Sequence, residues 1–387
     1  MPQPITDSIP LSLYVHIPWC VRKCPYCDFN SHTTTEAIPE QAYTERLIAD
    51  LRGDLQHYSP LRPLTSIFFG GGTPSLFSAN AIGQIIDAAR AEIGFTADIE
   101  ITLEANPGTA EYTDFGELRR AGVNRLSIGV QTFNDQHLTN LGRIHNAQDA
   151  SDAFHKARLG GFGNINLDLM HGLAKQTPAQ ALSDLQTAVG LGPEHLSWYQ
   201  LTIEPNTVFY TSPPTLPNED TLSDIQDKGE ALLAQMGYRQ YEVSAFARAG
   251  KAAQHNLNYW QYGDYLGIGA GAHGKLTYPD GHIERYRKTR LPSDYLNPAK
   301  KMTAGRSRVT PERRPLEFMM NALRLPQGVP TALFEQRTQI PIESILATLE
   351  QLQREELLEF NDTLKASPLG FRHLNSLLNR FDTALNR

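Results

Sequence analysis

The sequence predicts an α/β protein: a partial (β/α)6 TIM barrel followed by a small C-terminal helical, winged-helix-like domain. Six short runs rich in β-branched and aromatic residues are separated by segments with helical apolar spacing. Such alternation produces parallel strands with right-handed crossovers, as in a doubly wound sheet or a barrel. Because six units are fewer than the eight of a closed barrel, the incomplete barrel is favoured.

The first part of the chain, residues 1–240, is expected to form this barrel core. Its strands are predicted at 11–17, 65–69, 98–104, 125–131, 164–170 and 195–204. In 39–58 and 79–91 the apolar residues recur at the spacing of one buried helix face. Further helices are predicted at 109–121, 147–160, 178–190 and 219–236.

The pattern changes after residue 240, and we interpret 241–314 as a separate segment. Residues 241–246 are strand-like, and 262–278 are rich in glycine and tyrosine. Residues 285–314 carry ten Lys or Arg against two acidic residues, with three prolines. This composition predicts a basic linker, which is either a solvated surface strip or a site for an anionic ligand or partner.

The tail, 315–387, is predicted to be the winged-helix-like domain. Helical segments at 316–325, 342–358 and 370–384 surround a strand-like segment at 358–366. Although winged helices often bind DNA, the net charge of −7 argues against a nucleic-acid partner. We favour a lid over the barrel mouth, since an open barrel needs a cover to exclude solvent.

The composition is that of an ordinary globular protein, with 40% hydrophobic and 20% charged residues, which excludes wholesale disorder. No apolar run approaches the roughly 18 residues of a membrane span. The first residues lack the basic flank and apolar core of a signal peptide. We therefore expect a cytoplasmic protein without a membrane span, and leave peripheral membrane contact open.

The three cysteines, Cys20, Cys24 and Cys27, follow the first predicted strand as C-x3-C-x2-C, and the chain has no others. An odd, tightly grouped set is not a disulfide framework. Three thiolates on one loop can hold three corners of a cubane iron–sulfur cluster and leave the fourth iron open to a ligand. The alternative is a zinc site completed by His16 or His32.

Polar and glycine residues stand where the predicted strands end, and in a parallel barrel those ends share one rim. The second strand ends in Gly70-Gly71-Gly72-Thr73, whose backbone N–H groups can approach a ligand closely. The other candidates on this rim are Glu104, Asn106, Gln131, Arg143 and Asp168. Carboxylates suit ribose hydroxyls and an amine, and arginine suits a carboxylate.

The loop CVRKCPYCDFN resembles the signature of the radical S-adenosylmethionine (SAM) proteins. This resemblance implies a [4Fe-4S] cluster whose open iron binds the amino and carboxylate groups of SAM. It also implies electron transfer that yields a 5′-deoxyadenosyl radical, and the partial barrel as the fold. The radical chemistry belongs to the cofactors, while the protein binds, orients and excludes water.

A wider set of motifs narrows the resemblance to the oxygen-independent coproporphyrinogen III oxidase family, and more closely to its haem-chaperone branch. The motifs are YVHIPWC, FFGGGTP, EANPG, IGVQ, LGRIH, NLDLMHGL, SWYQLTIEPNT and HNLNYW. The resemblance implies cluster ligands at Cys20, Cys24 and Cys27. It implies SAM contacts at Tyr14, Tyr26, Gly71, Gly72, Thr73, Glu104, Gln131, Arg143 and Asp168, some of which match the second SAM site of the oxidising enzyme.

Two functions remain open, an enzyme and a carrier. The enzyme would decarboxylate porphyrinogen propionates; the carrier would bind haem and deliver it to haem-accepting respiratory proteins, with an electron donor for the cluster. The oxidising enzyme has a further cysteine where this chain has Phe29, and its long N-terminal extension contrasts with the 19 residues before Cys20. HNLNYW resembles a motif of the chaperone branch, so haem carriage is favoured.

His255 of that motif is the candidate haem ligand, with flanking aromatic residues to stack on the porphyrin. A hydrogen-bonded structural histidine is the alternative. Other candidate ligands are His16, His145, His171 and His273.

Overall fold

The computed structural model describes residues 8–33, 37–58, 62–110 and 113–382. Its strands are β1 (Leu11–Ile17), β2 (Trp19–Cys20), β3 (His32–Thr33), β4 (Leu64–Gly71), β5 (Phe95–Ala105), β6 (Arg125–Gln131), β7 (Ile165–His171), β8 (His195–Gln200), β9 (Arg239–Glu242), β10 (Ala245–Ala247), β11 (Asp264–Ile268), β12 (His273–Thr277), β13 (Ile283–Lys288), β14 (Thr303–Arg308), β15 (Val329–Pro330), β16 (Leu358–Phe360) and β17 (Thr363–Ala366).

Its α-helices are α1 (Glu40–His57), α2 (Ala79–Glu92), α3 (Phe115–Arg120), α4 (Asp135–Asn140), α5 (Ala147–Leu159), α6 (Pro178–Leu191), α7 (Val208–Thr211), α8 (Glu219–Gln235), α9 (Gln254–Trp260), α10 (Pro292–Leu296), α11 (Arg314–Ala322), α12 (Ala332–Thr338), α13 (Leu346–Arg354), α14 (Pro368–Arg372) and α15 (Leu374–Leu378). No helix in the described ranges is long and apolar enough to cross a membrane.

One large sheet organises the molecule. Its twelve strands follow the order β14-β13-β12-β11-β1-β4-β5-β6-β7-β8-β10-β9. Neighbours from β11 to β8 are parallel, and antiparallel strands extend both ends. The six predicted strands are β1 and β4 to β8, so the predicted run of parallel units is confirmed. A further parallel strand, β11, pairs with β1, with Leu11 opposite Asp264.

Alternation along β1 separates the two faces of this sheet. Four apolar side chains of β1 are fully buried in a core shared with α1 and α2: Leu11, Leu13, Val15 and Ile17. Burial of each such side chain stabilises the fold by roughly 1.5–3 kcal/mol. The other face is polar, since Ser66 of β4 donates a hydrogen bond to Ser12 of β1 across 2.8 Å. The apolar face therefore holds the helices, and the polar face is left for ligands.

Five of the six helices predicted for residues 1–240 are confirmed, as α1, α2, α5, α6 and α8. The helix predicted at 109–121 begins only at Phe115. Asp114 caps it there, because its carboxylate accepts a hydrogen bond from the N–H of Glu117 (2.9 Å). Residues 111 and 112 lie outside the described ranges.

The segment expected to be a basic linker instead forms β13 and β14 of the main sheet. Lys288 of β13 is buried, and its ammonium donates to Asp50 (2.6 Å) and Asp54 (2.7 Å) of α1. Arg306 of β14 also contacts Asp54 (3.3 Å). The linker interpretation of 285–314 is therefore wrong, because acids remote in sequence neutralise these basic residues within the fold. The domain boundaries themselves stay a prediction.

The segment between β8 and β11 also differs in detail from expectation. Residues 241–246 do not form one strand, because β9 and β10 meet there as an antiparallel hairpin. HNLNYW forms helix α9, which contacts β4 and β1 of the main sheet.

The C-terminal part combines helices with a small sheet, as expected of a winged-helix-like domain. Helices α11, α12 and α13 precede a hairpin, and the sheet order is β15-β17-β16. The helix predicted at 370–384 is instead two short helices that meet at His373, and residues 383–387 lie outside the described ranges. The core of this domain includes Tyr262 and Ile283. It therefore packs against the β11–β14 side of the sheet.

Candidate functional site

A cavity of about 420 Å³, here called the first cavity, lies at the carboxyl ends of the parallel strands. Its walls come from the cysteine loop and the strand ends from β4 to β8. They include twelve of the predicted site residues: Cys20, Cys24, Tyr26, Cys27, Gly71, Gly72, Thr73, Glu104, Asn106, Gln131, Arg143 and Asp168. All its lining residues precede residue 205, so the expected lid role of the C-terminal domain over this mouth is wrong for the described residues.

The cysteine loop forms one wall of the first cavity. The N–H of Cys27 donates to the carbonyl of Cys24 (3.1 Å), which closes a tight turn between the two thiols. Lys23 braces the loop by donating to the carbonyl of Phe29 (3.0 Å). All three thiols are free and half-buried, and burial raises the pKa of the Cys20 thiol. Three thiols that form no disulfide thus share one cavity, as a cluster site requires.

Both ring nitrogens of His16 and one ring nitrogen of His32, the histidines of the zinc alternative, are already hydrogen-bonded in the structure. Nδ1 of His16 accepts from the Tyr14 hydroxyl (2.9 Å), and its Nε2 donates to the Asn30 carbonyl (3.0 Å). Nε2 of His32 bonds to the Asn30 side chain (3.2 Å). Over the described ranges no three His, Cys, Asp or Glu side chains converge on a point that could hold one metal ion. A cubane cluster takes its thiolates from wider spacing than a single ion does, so the loop suits a cluster better.

The glycines at the end of β4 allow the backbone there to pack closely against β2. Gly71 has a left-handed φ of 119°, and a Cβ there would lie 2.6 Å from the His16 ring. A Cβ on Gly72 would lie 2.4 Å from the carbonyl oxygen of Trp19. The N–H of Thr73 donates to that same oxygen (2.8 Å). The glycines therefore seat the end of β4 against the strand that carries Cys20, besides lining the first cavity.

Glu104 and Asp168 place two buried carboxyl groups in the cavity wall. Glu104 accepts a hydrogen bond from the N–H of Gly71 (3.2 Å), and Asp168 accepts from Ser127 (2.8 Å) and Asn166 (2.8 Å). Burial, and then repulsion by Asp168, raises the pKa of Glu104 to about 8. Burial also raises the pKa of Asp168. A cation bound here would favour the ionised form of Glu104, so the wall suits a cationic ligand.

Replacing Glu104 with glutamine should flatten the pH dependence of stability of the cofactor-free protein. Its folded pKa of about 8 lies above the ordinary 4.5, so between these values the folded state keeps a proton that the unfolded state has lost. The free energy of unfolding must then fall as pH rises through this window. Between about pH 6 and pH 8, Glu104→Gln should gain roughly 1–2 kcal/mol relative to the native chain.

Urea unfolding at the two pH values measures this difference. Glu117→Gln, at an exposed position of α3, is the matched control and should follow the native chain. Equal pH slopes for the Glu104→Gln variant and the native chain would contradict the assignment of a protonated, buried Glu104.

Arg143 and Gln131 complete the rim. The Arg143 guanidinium donates to the carbonyl of Gly129 (2.7 Å) and to Sγ of Cys24 (3.7 Å). Gln131 ends β6 with a left-handed φ of 70°, and its side-chain oxygen accepts from the Tyr199 hydroxyl (2.7 Å). The cavity thus pairs carboxyl groups with a guanidinium beside the cysteine loop, which suits a ligand with separate cationic and carboxylate groups.

Tyr199 and Ser127 line the first cavity but escaped the sequence reasoning. The signal was strand alternation. Ser127, Gly129 and Gln131 follow one another at every second position of β6, so they share a face. Alternation along β8 likewise places Tyr199 next to the carboxyl end of that strand, at Gln200.

His255 lies apart from the first cavity and is only 1% exposed. Its Nδ1 is 2.9 Å from the Ser66 hydroxyl and its Nε2 is 2.9 Å from the Tyr259 hydroxyl. Its ring stacks on Phe68 with centroids 5.1 Å apart. Burial lowers the pKa of His255 to about 3, so the ring is neutral. Both nitrogens are therefore in use, and the haem-ligand role stays a prediction that these contacts do not favour.

Tyr14 also lies outside the lining of the first cavity, with its ring against Gly70 at the end of β4. Among the other histidines, His145 is buried and its Nε2 donates to the Val130 carbonyl (3.0 Å). His171 is buried against the Trp198 ring, with centroids 4.2 Å apart. His273 is exposed at the start of β12.

Two protein-family models match this chain, one in the parallel-strand part and one in the C-terminal part. Residues 14–188 match the radical SAM superfamily, and residues 309–373 match the HemN C-terminal domain. The first region contains the cysteine loop and most of the parallel strands, and the second contains α11 to α14.

Two bacterial relatives match nearly the whole chain, and a mouse relative matches three quarters of it. The heme chaperone HemW of Haemophilus influenzae is 50% identical over 97% of this chain and 98% of its own. The heme chaperone HemW of Escherichia coli is 48% identical over 96% of this chain and 98% of its own. The mouse protein named radical S-adenosyl methionine domain-containing protein 1, mitochondrial, is 40% identical over 75% of this chain and 66% of its own.

The fold also matches a solved structure, coproporphyrinogen III oxidase (HemN) from Escherichia coli, which is described as a radical SAM enzyme. The TM-score is 0.79, over 99% of this chain and 92% of that one. At 23% identity this likeness establishes the fold, and the predicted partial barrel with a C-terminal domain is confirmed.

Proposed function

Because this chain belongs to the radical SAM superfamily and, within it, to the HemW family, we propose that it is a haem chaperone. In this proposal it carries a [4Fe-4S] cluster and SAM, binds haem, and delivers haem to haem-accepting respiratory proteins. The similarity to proteins named heme chaperone HemW, over at least 96% of this chain for the two bacterial relatives, is the observation that carries the proposal.

The first cavity fits the cofactors that the family implies. Cys20, Cys24 and Cys27 would hold three irons of the cluster, because they are free thiols on one wall of the cavity. When bound, the cluster and SAM supply one-electron chemistry. An electron donor is therefore part of the proposal.

The protein's own groups would orient SAM. The carboxyl of Glu104 suits a cationic part of this ligand, and the Arg143 guanidinium suits a carboxylate. Tyr26 closes one side of the cavity, with its ring packed on Phe209 at a centroid distance of 6.3 Å. A half-buried wall of this kind limits water at the bound cofactors.

The runner-up function is oxidation of coproporphyrinogen III, which the fold of the HemN match brings into consideration. Phe29 argues against it, because it stands where the oxidising family has a further cysteine. Its side chain is 59% exposed beside the cysteine loop. The sequence has no cysteine besides Cys20, Cys24 and Cys27, so no other thiol of this chain replaces that group.

Anaerobic reconstitution of the full chain should yield one cluster per chain, haem binding, and no conversion of coproporphyrinogen III to protoporphyrinogen IX. Cys24→Ala should lose the cluster absorbance, because a thiolate is removed from a set of only three. Haem affinity, haem transfer to an apo-acceptor and porphyrinogen turnover are measured on one preparation. Robust turnover without haem binding would overturn the chaperone proposal in favour of the enzyme.

A further inference from the structure

A row of polar side chains on strands β6, β7 and β8 extends from the first cavity into the interior of the protein. In the parallel register Asn166 lies opposite Ser127 on one side and His195 on the other. Asp168 lies opposite Ser197. Ser127 and Asp168 line the first cavity. Asn166 is 1% exposed and His195 is 0% exposed. The row therefore connects two deeply buried residues with a carboxyl group in the cavity wall.

The side-chain amide of Asn166 can adopt only one orientation in this row. Its nitrogen donates to Oδ1 of Asp168 (2.8 Å) and to the Ser127 hydroxyl (2.7 Å). Its oxygen accepts from the Ser197 hydroxyl (3.2 Å) and from Nδ1 of His195 (2.6 Å). The reversed amide would set its oxygen against the Asp168 carboxylate, and two acceptors cannot bond to each other. Asn166 therefore always presents an N–H group to Asp168.

His195 holds that orientation in place. Because its Nδ1 faces the amide oxygen of Asn166, this nitrogen must carry the hydrogen. Its Nε2 then accepts from the Tyr241 hydroxyl (2.8 Å). Burial, and then the charge of Arg125, lowers the pKa of His195 well below its ordinary 6.5, so the ring is neutral. A neutral ring with one donor and one acceptor fits these two partners in a single tautomer, and its donor points toward Asn166.

The donors of the row converge on Asp168. The Ser127 hydroxyl accepts from Asn166, so its own hydrogen goes to Oδ2 of Asp168 (2.8 Å). Both carboxyl oxygens thus accept hydrogen bonds from the interior side. Burial raises the pKa of Asp168, and the hydrogen bonds from Ser127 and Asn166 oppose that rise. The row therefore favours an Asp168 carboxylate that acts only as an acceptor.

A contribution to stability does not by itself account for these residues. Apolar side chains could fill the interior positions of Asn166 and His195, since a buried polar network gains little net free energy over apolar packing. The polar row instead ends at a carboxyl group that lines the cavity. This end point connects the row with ligand binding.

We propose that Asn166 and His195 are positioning residues for SAM, which hold the Asp168 carboxylate so that it accepts hydrogen bonds from the ribose hydroxyls of SAM in the first cavity. The inference rests on the proposed function and adds two residues that do not line the cavity. Asn166 acts on Asp168 directly, and His195 acts by fixing the amide of Asn166.

Two substitutions of His195 test this role through SAM titration of the full chain after anaerobic reconstitution. His195→Leu removes the Nδ1 donor and leaves the Asn166 amide free to turn, so the affinity for SAM should fall roughly tenfold. In His195→Asn a side-chain N–H can donate from near the position of Nδ1, so most of the native affinity should return. Both variants open space and lose the Tyr241 contact, so a merely structural role would weaken both alike.

Tyr241→Phe is the matched control. It removes the other hydrogen bond of His195 and keeps the one to Asn166, so SAM should bind as it does to the native chain. Urea unfolding and iron content verify that each variant is folded and loaded. If His195→Leu does not fold, Asn166→Ala tests the same link, because it removes the N–H donor to Asp168 and should also weaken SAM roughly tenfold.

A double-mutant cycle with Asp168→Asn tests whether His195 acts through Asp168. Asp168→Asn alone should weaken SAM binding. Adding His195→Leu to it should have no further effect, because the carboxylate that His195 positions is already gone. Effects that add in full would show that His195 influences the cavity by another route, and the inference would be overturned.

The remaining outcomes separate this inference from the proposed function. If the native chain binds SAM but His195→Leu or Asn166→Ala binds it equally tightly, the positioning role is wrong and the proposed function stands. Equal weakening in His195→Leu and His195→Asn would also overturn the role. If the cluster-loaded native chain binds no SAM, the cofactor part of the proposed function fails and the inference fails with it.

Discussion

Gly72→Ala is expected to cost the protein its cluster as well as its SAM binding. A Cβ at this position would lie 2.4 Å from the backbone oxygen of Trp19, which cannot move aside as a flexible side chain would. The strand that carries Cys20 must therefore shift, and overpacking of this kind costs about 1–3 kcal/mol. Iron content and SAM binding, measured after anaerobic reconstitution, should both fall severalfold.

Iron content is expected to fall together with SAM binding because the close neighbour of Gly72 is the backbone of Trp19, the residue directly before Cys20. Gly53→Ala is the matched control, since Gly53 lies in α1 with nothing within 4 Å of its added Cβ. It should keep full iron. A Gly72→Ala protein with full iron and a native unfolding midpoint would show that the loop can move aside freely.

His255→Ala is expected to destabilise the fold rather than remove one exposed ligand. The substitution leaves the hydroxyls of Ser66 and Tyr259 without their partner and opens a cavity beside Phe68. Lost buried hydrogen bonds and the cavity together should lower the free energy of unfolding by about 2–4 kcal/mol. Urea unfolding measures this loss, and His57→Ala, at the exposed end of α1, should change it little.

Haem binding distinguishes the two roles of His255. If His255 is structural, the fraction that remains folded should bind haem with an unchanged Soret maximum. A variant of native stability whose Soret maximum is displaced would instead support the ligand role predicted from the HNLNYW motif.

Much of the first cavity could be predicted because its signals are local. Strand runs such as 125–131 are short and apolar, and in parallel units the residue that ends each run faces the same rim. The cysteine spacing indicated a cluster without any tertiary knowledge. Glu104 and Asp168 followed from their position at strand ends, and both line the cavity.

What could not be predicted depends on partners remote in sequence. The basic run at 285–314 looked like a linker because its neutralising acids, Asp50 and Asp54, lie in the first helix. The two carboxylates offset the desolvation cost of burying the Lys288 ammonium. His255 looked like a ligand because its partners, Ser66 and Tyr259, come from a strand 189 residues away and from the next helical turn. The spacing of apolar residues along the sequence predicts neither the Lys288 ion pairs nor the His255 hydrogen bonds.

The pairing of β1 with β11 bears on the order in which the protein can be completed during synthesis. The cysteines are made first, yet the outer edge of β1 has no neighbour until residues 264–268 have emerged. Asn30, just beyond the cysteines, donates to the carbonyls of Ala270 (2.9 Å) and Arg290 (2.8 Å). A nascent chain that already holds every thiol and six βα units therefore still lacks these two contacts of Asn30. The earliest-made part of the metal site is the last to acquire its final geometry.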